Sequence, residues 1–253
     1  MISLQACMDG KGNKMPEKSL YDEVALKSFI ISIPGISEQN AQNCLKSLLN
    51  AAAGDSAVFR RTIDYLETPL SDPNSAYRNE DLYIQLLKVK IRSRWCRPIE
   101  RKESKERLNL YMQNRKGQAA NDFIYITPSD HRTKLYDLHA DLTMLFFYNP
   151  ECEGCKRMVA EIAGSSIISK KLVSGELKIL ALYTEKDLKL WQKHLRELPK
   201  SWIQGRDENE YLYKNSLYDL KAIPSIYLLD KNKKVLLKDC LSLQEIEKML
   251  API

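Results

Sequence analysis

The chain has no apolar run approaching the roughly 18 residues that a membrane-crossing helix needs. It has only three histidines (His131, His139 and His194) and six cysteines in 253 residues. Cysteines this sparse exclude a disulfide scaffold. No second Cys/His pair stands at ligand spacing, so a tetrahedral zinc site lacks ligands. There is no phosphate-binding glycine loop, no Gly-x-Ser-x-Gly elbow and no His-Glu-x-x-His helix, which removes the usual carriers of nucleotide, serine-hydrolase and zinc-protease chemistry. Internal repeats and low-complexity tracts are also missing. No bound cofactor is expected.

The remaining composition is that of a globular protein, 44% hydrophobic and 28% charged, long enough for two domains of ordinary size. The net charge of +6 is localised. Residues 88–116 carry eleven Lys/Arg against three Glu, a net of +8. A nucleic-acid surface would interleave such charge with exposed aromatics. This stretch offers Trp95 and Tyr111, both at helix-core positions, so no nucleic-acid partner is expected. A solvated basic helix face is the simpler reading, and attraction to an anionic membrane surface is the functional alternative.

Residues 19–115 read as an all-α domain. Tyr21–Ser32 forms a first helix ended by Pro34-Gly35. Ser37 caps a second, with Ala41, Cys44, Leu45, Leu48, Leu49 and Ala52 on one face and Gly54 as its stop. Asp55 caps a third carrying Val58, Phe59, Ile63 and Leu66, broken by Pro69, Asp72-Pro73 and Asn74. Asn79–Trp95 is a fourth, striped by Ile84, Leu87, Ile91 and Trp95. Pro98 interrupts, and Glu100–Asn114 makes a charged fifth. Cys44 and Cys96 read as inert thiols.

Composition shifts at Arg115–Asn121, the expected domain boundary, and residues 116–253 alternate strand and helix patterns. Phe123–Thr127 and Lys134–Leu138 flank Ser129-Asp130 as a hairpin. Leu142–Tyr148 is near-continuously apolar, as a strand covered on both faces should be. Expected next are a helix from Cys152 to about Lys171 with a break at Gly164, a strand at Leu177–Tyr183 and a helix at Asp187–Leu198. The series ends with strands at Ser225–Leu229 and Lys234–Lys238 and a helix at Leu243–Leu250. This is β-α-β-α-β-β-α, with a parallel start and an antiparallel finish. Cys240 reads as a free thiol, and the histidines read as surface residues.

Cys152-Glu153-Gly154-Cys155 follows the core strand and the turn pair Asn149-Pro150. A strand that ends in Cys-x-x-Cys and opens a helix suits dithiol–disulfide chemistry. The first cysteine reaches the helix N-terminus, where free N–H groups and the helix dipole favour a thiolate. The second lies one turn on, on the same face, within reach of a disulfide. Ile223-Pro224 precedes a core strand, a place where a proline is restricted to the first residue or a bulge. A cis bond there would turn the backbone of Ile223 toward the cysteine pair.

Strand, Cys152-x-x-Cys155, helix, strand, helix, then Ile223-Pro224 ahead of a hairpin and a last helix resembles the thioredoxin superfamily. With Ala120-x-x-Phe123 and Leu135-Tyr136-Asp137 leading in, residues 117–250 are similar to membrane-tethered, periplasm-facing thiol reductases of the TlpA/ResA type. Residues 74–83 (NSAYRNEDLY) resemble part of an uncharacterised helical domain found ahead of such modules in lipoproteins of Gram-negative gut bacteria. Leu4-Gln5-Ala6-Cys7 resembles a lipobox. With the polar stretch after it, residues 1–18 would form a tether anchored by lipid on Cys7, with a longer signal upstream of Met1. The resemblance implies an α/β thioredoxin-like fold behind the all-α domain. It implies that Cys152 is the attacking nucleophile, Cys155 the resolving thiol and Pro224 a cis-proline holding a substrate strand with Ile223.

It also implies a periplasmic or cell-envelope thiol–disulfide oxidoreductase, with a disulfide-containing protein as substrate and a membrane thiol reductase as electron donor. Three positions depart from the family. The dipeptide between the cysteines is Glu-Gly rather than Gly-Pro. The buried acid expected six residues before the first cysteine is Phe146. The usual preceding tryptophan is Glu151. Carboxylates on both sides of Cys152 oppose a thiolate and favour a reductant over a strong oxidant. Two alternatives stand beside this reading. One is a lipid-anchored binding or assembly protein that uses the fold as scaffold. The other is a thiol peroxidase, which would want a threonine where Asn149 stands.

Overall fold

The structure, a computed structural model, describes residues 23–251. The expected tether at residues 1–18, with Cys7 and its lipobox, lies outside the described residues. The chain divides into two compact units between Tyr111 and Met112. Gln113 and Asn114 bond to Ser216 O (2.7 Å) and Leu217 O (2.6 Å) of the second unit, which therefore reaches a few residues ahead of the compositional shift.

The first unit is built of helices α1 (Glu23–Ser32), α2 (Glu38–Ala52), α3 (Ser56–Ser71), α4 (Glu80–Arg92) and α5 (Pro98–Tyr111), with a 3-10 turn at Ile33–Gly35. Ser37, Asp55 and Asn79 cap α2, α3 and α4, their side chains accepting N–H groups of the first turn. The apolar stripe expected on α2 is buried throughout, in one cluster with Phe29, Phe59, Leu66 and Leu87.

Three details differ from expectation. Pro69 does not break α3, which continues to Ser71. In the last turn a proline forfeits one N–H, and the helix stops at the extended Asp72 before Pro73. Trp95 is not on α4, because extended Ser93 ends that helix and the indole donates to Ala53 O at 2.9 Å. Pro98 starts α5 rather than interrupting it, since the first helical position needs no N–H. Several cations of the basic stretch serve the fold. Lys90 and Arg107 both bind Glu67 at 2.8 Å, and Arg101 donates to Ser93 O and Cys96 O.

The second unit is a seven-stranded mixed sheet, β1 (Ile124–Ile126), β2 (Arg132–Lys134), β3 (Leu142–Tyr148), β4 (Leu177–Tyr183), β5 (Ile203–Asp207), β6 (Ser225–Asp230) and β7 (Val235–Leu237). Its order is β2-β1-β5-β4-β3-β6-β7. Helices α6 (Glu153–Gly164), α7 (Ser166–Ser174), α8 (Leu188–His194), α9 (Tyr211–Lys214) and α10 (Leu243–Leu250) complete it. β3–β4 and β4–β5 are parallel, and β3–β6 and β6–β7 are antiparallel. The central strand β3 sends Met144, Phe146 and Tyr148 into one core cluster and Leu145 and Phe147 into the other. Both faces are covered, which is why its sequence shows no alternation.

Strand β5 and helix α9 were not expected. β5 reads Ile-Gln-Gly-Arg-Asp, too polar for a core strand by pattern. Gly205 is needed at its centre, because a Cβ there would stand 2.6 Å from the Tyr125 ring. The hairpin strand expected at Lys134–Leu138 lies earlier, at Arg132–Lys134, and Leu135–Asp137 is a 3-10 turn. α8 stops at His194 rather than Leu198, with Pro199 disfavouring helix just beyond.

Candidate active site

The turn after β3 is tied by Asn149, whose backbone carbonyl accepts Cys152 N–H at 3.1 Å and whose side chain accepts Glu151 N–H at 2.8 Å. Cys152 leaves this turn extended, at φ −77° and ψ 115°, and becomes the N-cap of α6. Its Sγ accepts Cys155 N–H at 3.2 Å. A cap position normally belongs to an oxygen acceptor, and here a sulfur takes it. Cys152 is half-buried, whereas Cys155 is 1% exposed. Both are free thiols. Burial, followed by the hydrogen bond shared with Cys152, pushes the Cys155 thiol up to about 12.

The loop before β6 closes the site from the other side. Ile223–Pro224 is cis, as its position suggested. The Cys152 thiol donates to Ile223 O at 3.6 Å, a distance suited to sulfur. Gly154 completes the juncture. A Cβ added there would meet Pro224 Cδ at 3.4 Å and Cys152 Sγ at 3.8 Å. All four residues singled out in the sequence (Cys152, Cys155, Ile223 and Pro224) therefore meet. Gly154 is a fifth that composition alone does not flag, since its role depends on a proline seventy residues away in the chain.

The charge around Cys152 differs from a count of neighbouring carboxylates. Glu153 is ion-paired with Lys156 at 2.7 Å, and that ammonium holds its carboxyl below the usual range. Part of the negative charge beside the sulfur is thus compensated on the same helix turn. Phe146, in the same core cluster as Cys155, is fully buried, stacked on Tyr148 (centroids 5.8 Å apart) and edge-on to Trp202 (5.6 Å).

His194 departs from its expected surface position. Its side chain is 15% exposed, and it lines a cavity of about 120 Å³ together with Tyr148, Cys155 and Glu197. The His194/Glu197 spacing of three signals their pairing in the sequence but not the cavity they line. Among the described residues, no group of three or more His, Cys, Asp or Glu side chains gathers where a metal could be held.

Residues 13–114 match a family model described as a domain of unknown function (DUF5106), and residues 140–235 match one described as thioredoxin-like. The chain is similar to a thioredoxin-like protein from Bacteroides caccae, at 35% identity and a TM-score of 0.84, covering 96% of this chain and 87% of that one. It is also similar to the C-terminal domain of an uncharacterized Bacteroides fragilis protein, at 40% identity and a TM-score of 0.53, covering 55% of this chain and 99% of that one. A conserved B. fragilis protein of unknown function is similar over 54% of this chain and 99% of its own, at 34% identity and a TM-score of 0.52. A comparison with curated proteins finds no match.

Proposed function

The chain belongs to the thioredoxin-like family, and from that premise we propose that it is a thiol–disulfide oxidoreductase that reduces protein disulfides in the cell envelope. The observation that carries this reading is the placement of a half-exposed Cys152 Sγ on the N–H of a buried Cys155, against the carbonyl of Ile223. One sulfur is offered to substrate and the other is held back for the second step.

Cys152, as a thiolate, attacks one sulfur of a substrate disulfide. The substrate S–S bond breaks, its electron pair leaves on the other substrate sulfur, and a mixed disulfide forms. Cys155 then gives up its proton and attacks Cys152 Sγ. The Cys152–Cys155 disulfide closes and the second substrate sulfur leaves as a thiolate. Two electrons have passed from the protein to the substrate. The backbone at Ile223 and the ring of Pro224 hold the substrate strand beside the nucleophile. The chain needs no bound cofactor for these steps, but the oxidised protein must be re-reduced. A membrane thiol reductase fits that need if Cys7 carries a lipid anchor.

The test is catalysed reduction of insulin disulfides with dithiothreitol as reductant, followed as precipitation of the freed chains. The wild type should shorten the lag, and Cys152→Ser should not differ from the uncatalysed reaction. A wild-type protein that forms the Cys152–Cys155 disulfide yet never accelerates insulin reduction would move the function to binding or assembly.

A further inference from the structure

We propose that His194, held by Glu197, accepts through water in a shared cavity the proton that Cys155 must lose to resolve the mixed disulfide. This rests on the oxidoreductase reading above. The second step requires a Cys155 thiolate, and the thiol is buried and pushed up to about 12. Phe146, buried in the same core cluster as Cys155 and packed on Tyr148 and Trp202, offers no oxygen base there.

The cavity beside Cys155 supplies one. Its volume of about 120 Å³ is ample for water molecules. His194, at the end of α8, lies 2.7 Å through Nδ1 from Glu197 Oε1. With Nδ1 donating to that carboxylate, Nε2 carries the lone pair. Nε2 is buried and has no hydrogen-bond partner among the described residues.

The other titratable groups around this space are poor bases. Lys156 is held protonated by Glu153. The phenols of Tyr148 and Tyr183 are kept neutral by burial, Tyr183 being raised to about 12. Glu197 is 58% exposed and already engaged with His194.

The step balances. The Cys155 proton passes through water to His194 Nε2. Cys155 Sγ bonds to Cys152 Sγ, the Cys152–substrate bond breaks, and its electron pair leaves on the substrate sulfur. The imidazolium then returns its proton to solvent or to the departing thiolate.

An aromatic disulfide, 5,5′-dithiobis(2-nitrobenzoate), separates the two steps in one stopped-flow trace of the reduced full chain. Attack by Cys152 releases one thionitrobenzoate, and resolution by Cys155 releases a second. The Cys152→Ser/Cys155→Ser double variant supplies the baseline from other thiols. His194→Ala should leave the first phase within about twofold and slow the second at least tenfold, and added imidazole should restore it. Glu197→Gln should slow the second phase by a smaller factor. The unchanged first phase reports an intact site, and the isosteric His194→Gln should match His194→Ala without its response to imidazole. A second phase within twofold of wild type in His194→Ala, or a slow one indifferent to imidazole, overturns the assignment. A wild type that releases a single equivalent sinks the oxidoreductase reading instead.

Discussion

Cys155 gives its backbone N–H to Cys152 Sγ at 3.2 Å while its own side chain is almost wholly buried. One residue thus serves as support for the first sulfur and as reserve for the second step. The two cysteines are therefore not interchangeable. Cys155→Ser keeps that N–H and should accumulate a stable mixed disulfide with an offered substrate. Cys152→Ser should form none. Both are read as mass adducts under non-reducing conditions, and equal trapping by the two variants would contradict the assigned roles.

Gly154 is expected to control access to the sulfur. An alanine Cβ would rest on Pro224 Cδ at 3.4 Å, an ordinary contact, so Gly154→Ala should remain active. The branched side chain of Gly154→Val would spread over Pro224 and Cys152 and should lower the rate of Cys152 alkylation by iodoacetamide about tenfold or more. An unchanged rate would show that the juncture is looser than its distances.

Asp207 should make the second unit pH-sensitive. Its carboxyl is 3% exposed and is raised by burial from 3.8 to about 6, although one oxygen accepts Leu212 N–H at 3.0 Å. A carboxyl raised in the folded state adds stability below its unfolded value of 3.8, and that contribution is lost as pH rises through about 6. Between pH 4 and 7 the wild type should therefore lose about 2 kcal/mol relative to Asp207→Asn, compared by urea unfolding at each pH. Parallel stability profiles would contradict this.

Gly205 and Glu67 carry the two most specific structural demands. Gly205→Ala would force a methyl group to within 2.6 Å of the buried Tyr125 ring and should cost about 1–3 kcal/mol. Glu67 binds Lys90, Arg107 and the hydroxyl of Tyr83, a phenol raised by burial to about 12. Glu67→Gln leaves both cations less compensated and should destabilise the helical unit by a similar about 1–3 kcal/mol. Differential calorimetry of the full chain reads both, and the Gly205 change should act on the second unit alone.

The parts of this fold legible in the sequence are those whose physics is local. The helix caps Ser37 and Asp55, the run Leu142–Tyr148 and the pair Cys152/Cys155 each announce themselves within a few residues. Strand β5 stayed hidden because its identity depends on β4 on one side and on Tyr125 facing Gly205 on the other. His194 was misplaced for the same reason. Nothing near it in the sequence shows that the end of α8 borders the cavity of Cys155. Trp95 continues the stripe of α4 by spacing but is claimed by the Ala53 carbonyl just past the end of α2, which no periodicity registers.

The equilibrium reduction potential of Cys152–Cys155, titrated with dithiothreitol and read by thiol-labelling mass spectrometry, tests the central claim most directly. The account predicts one reversible two-electron couple confined to these two cysteines, at or below about −250 mV. A couple above about −150 mV would make the protein an oxidant. Failure of the pair to form a disulfide would contradict the account outright.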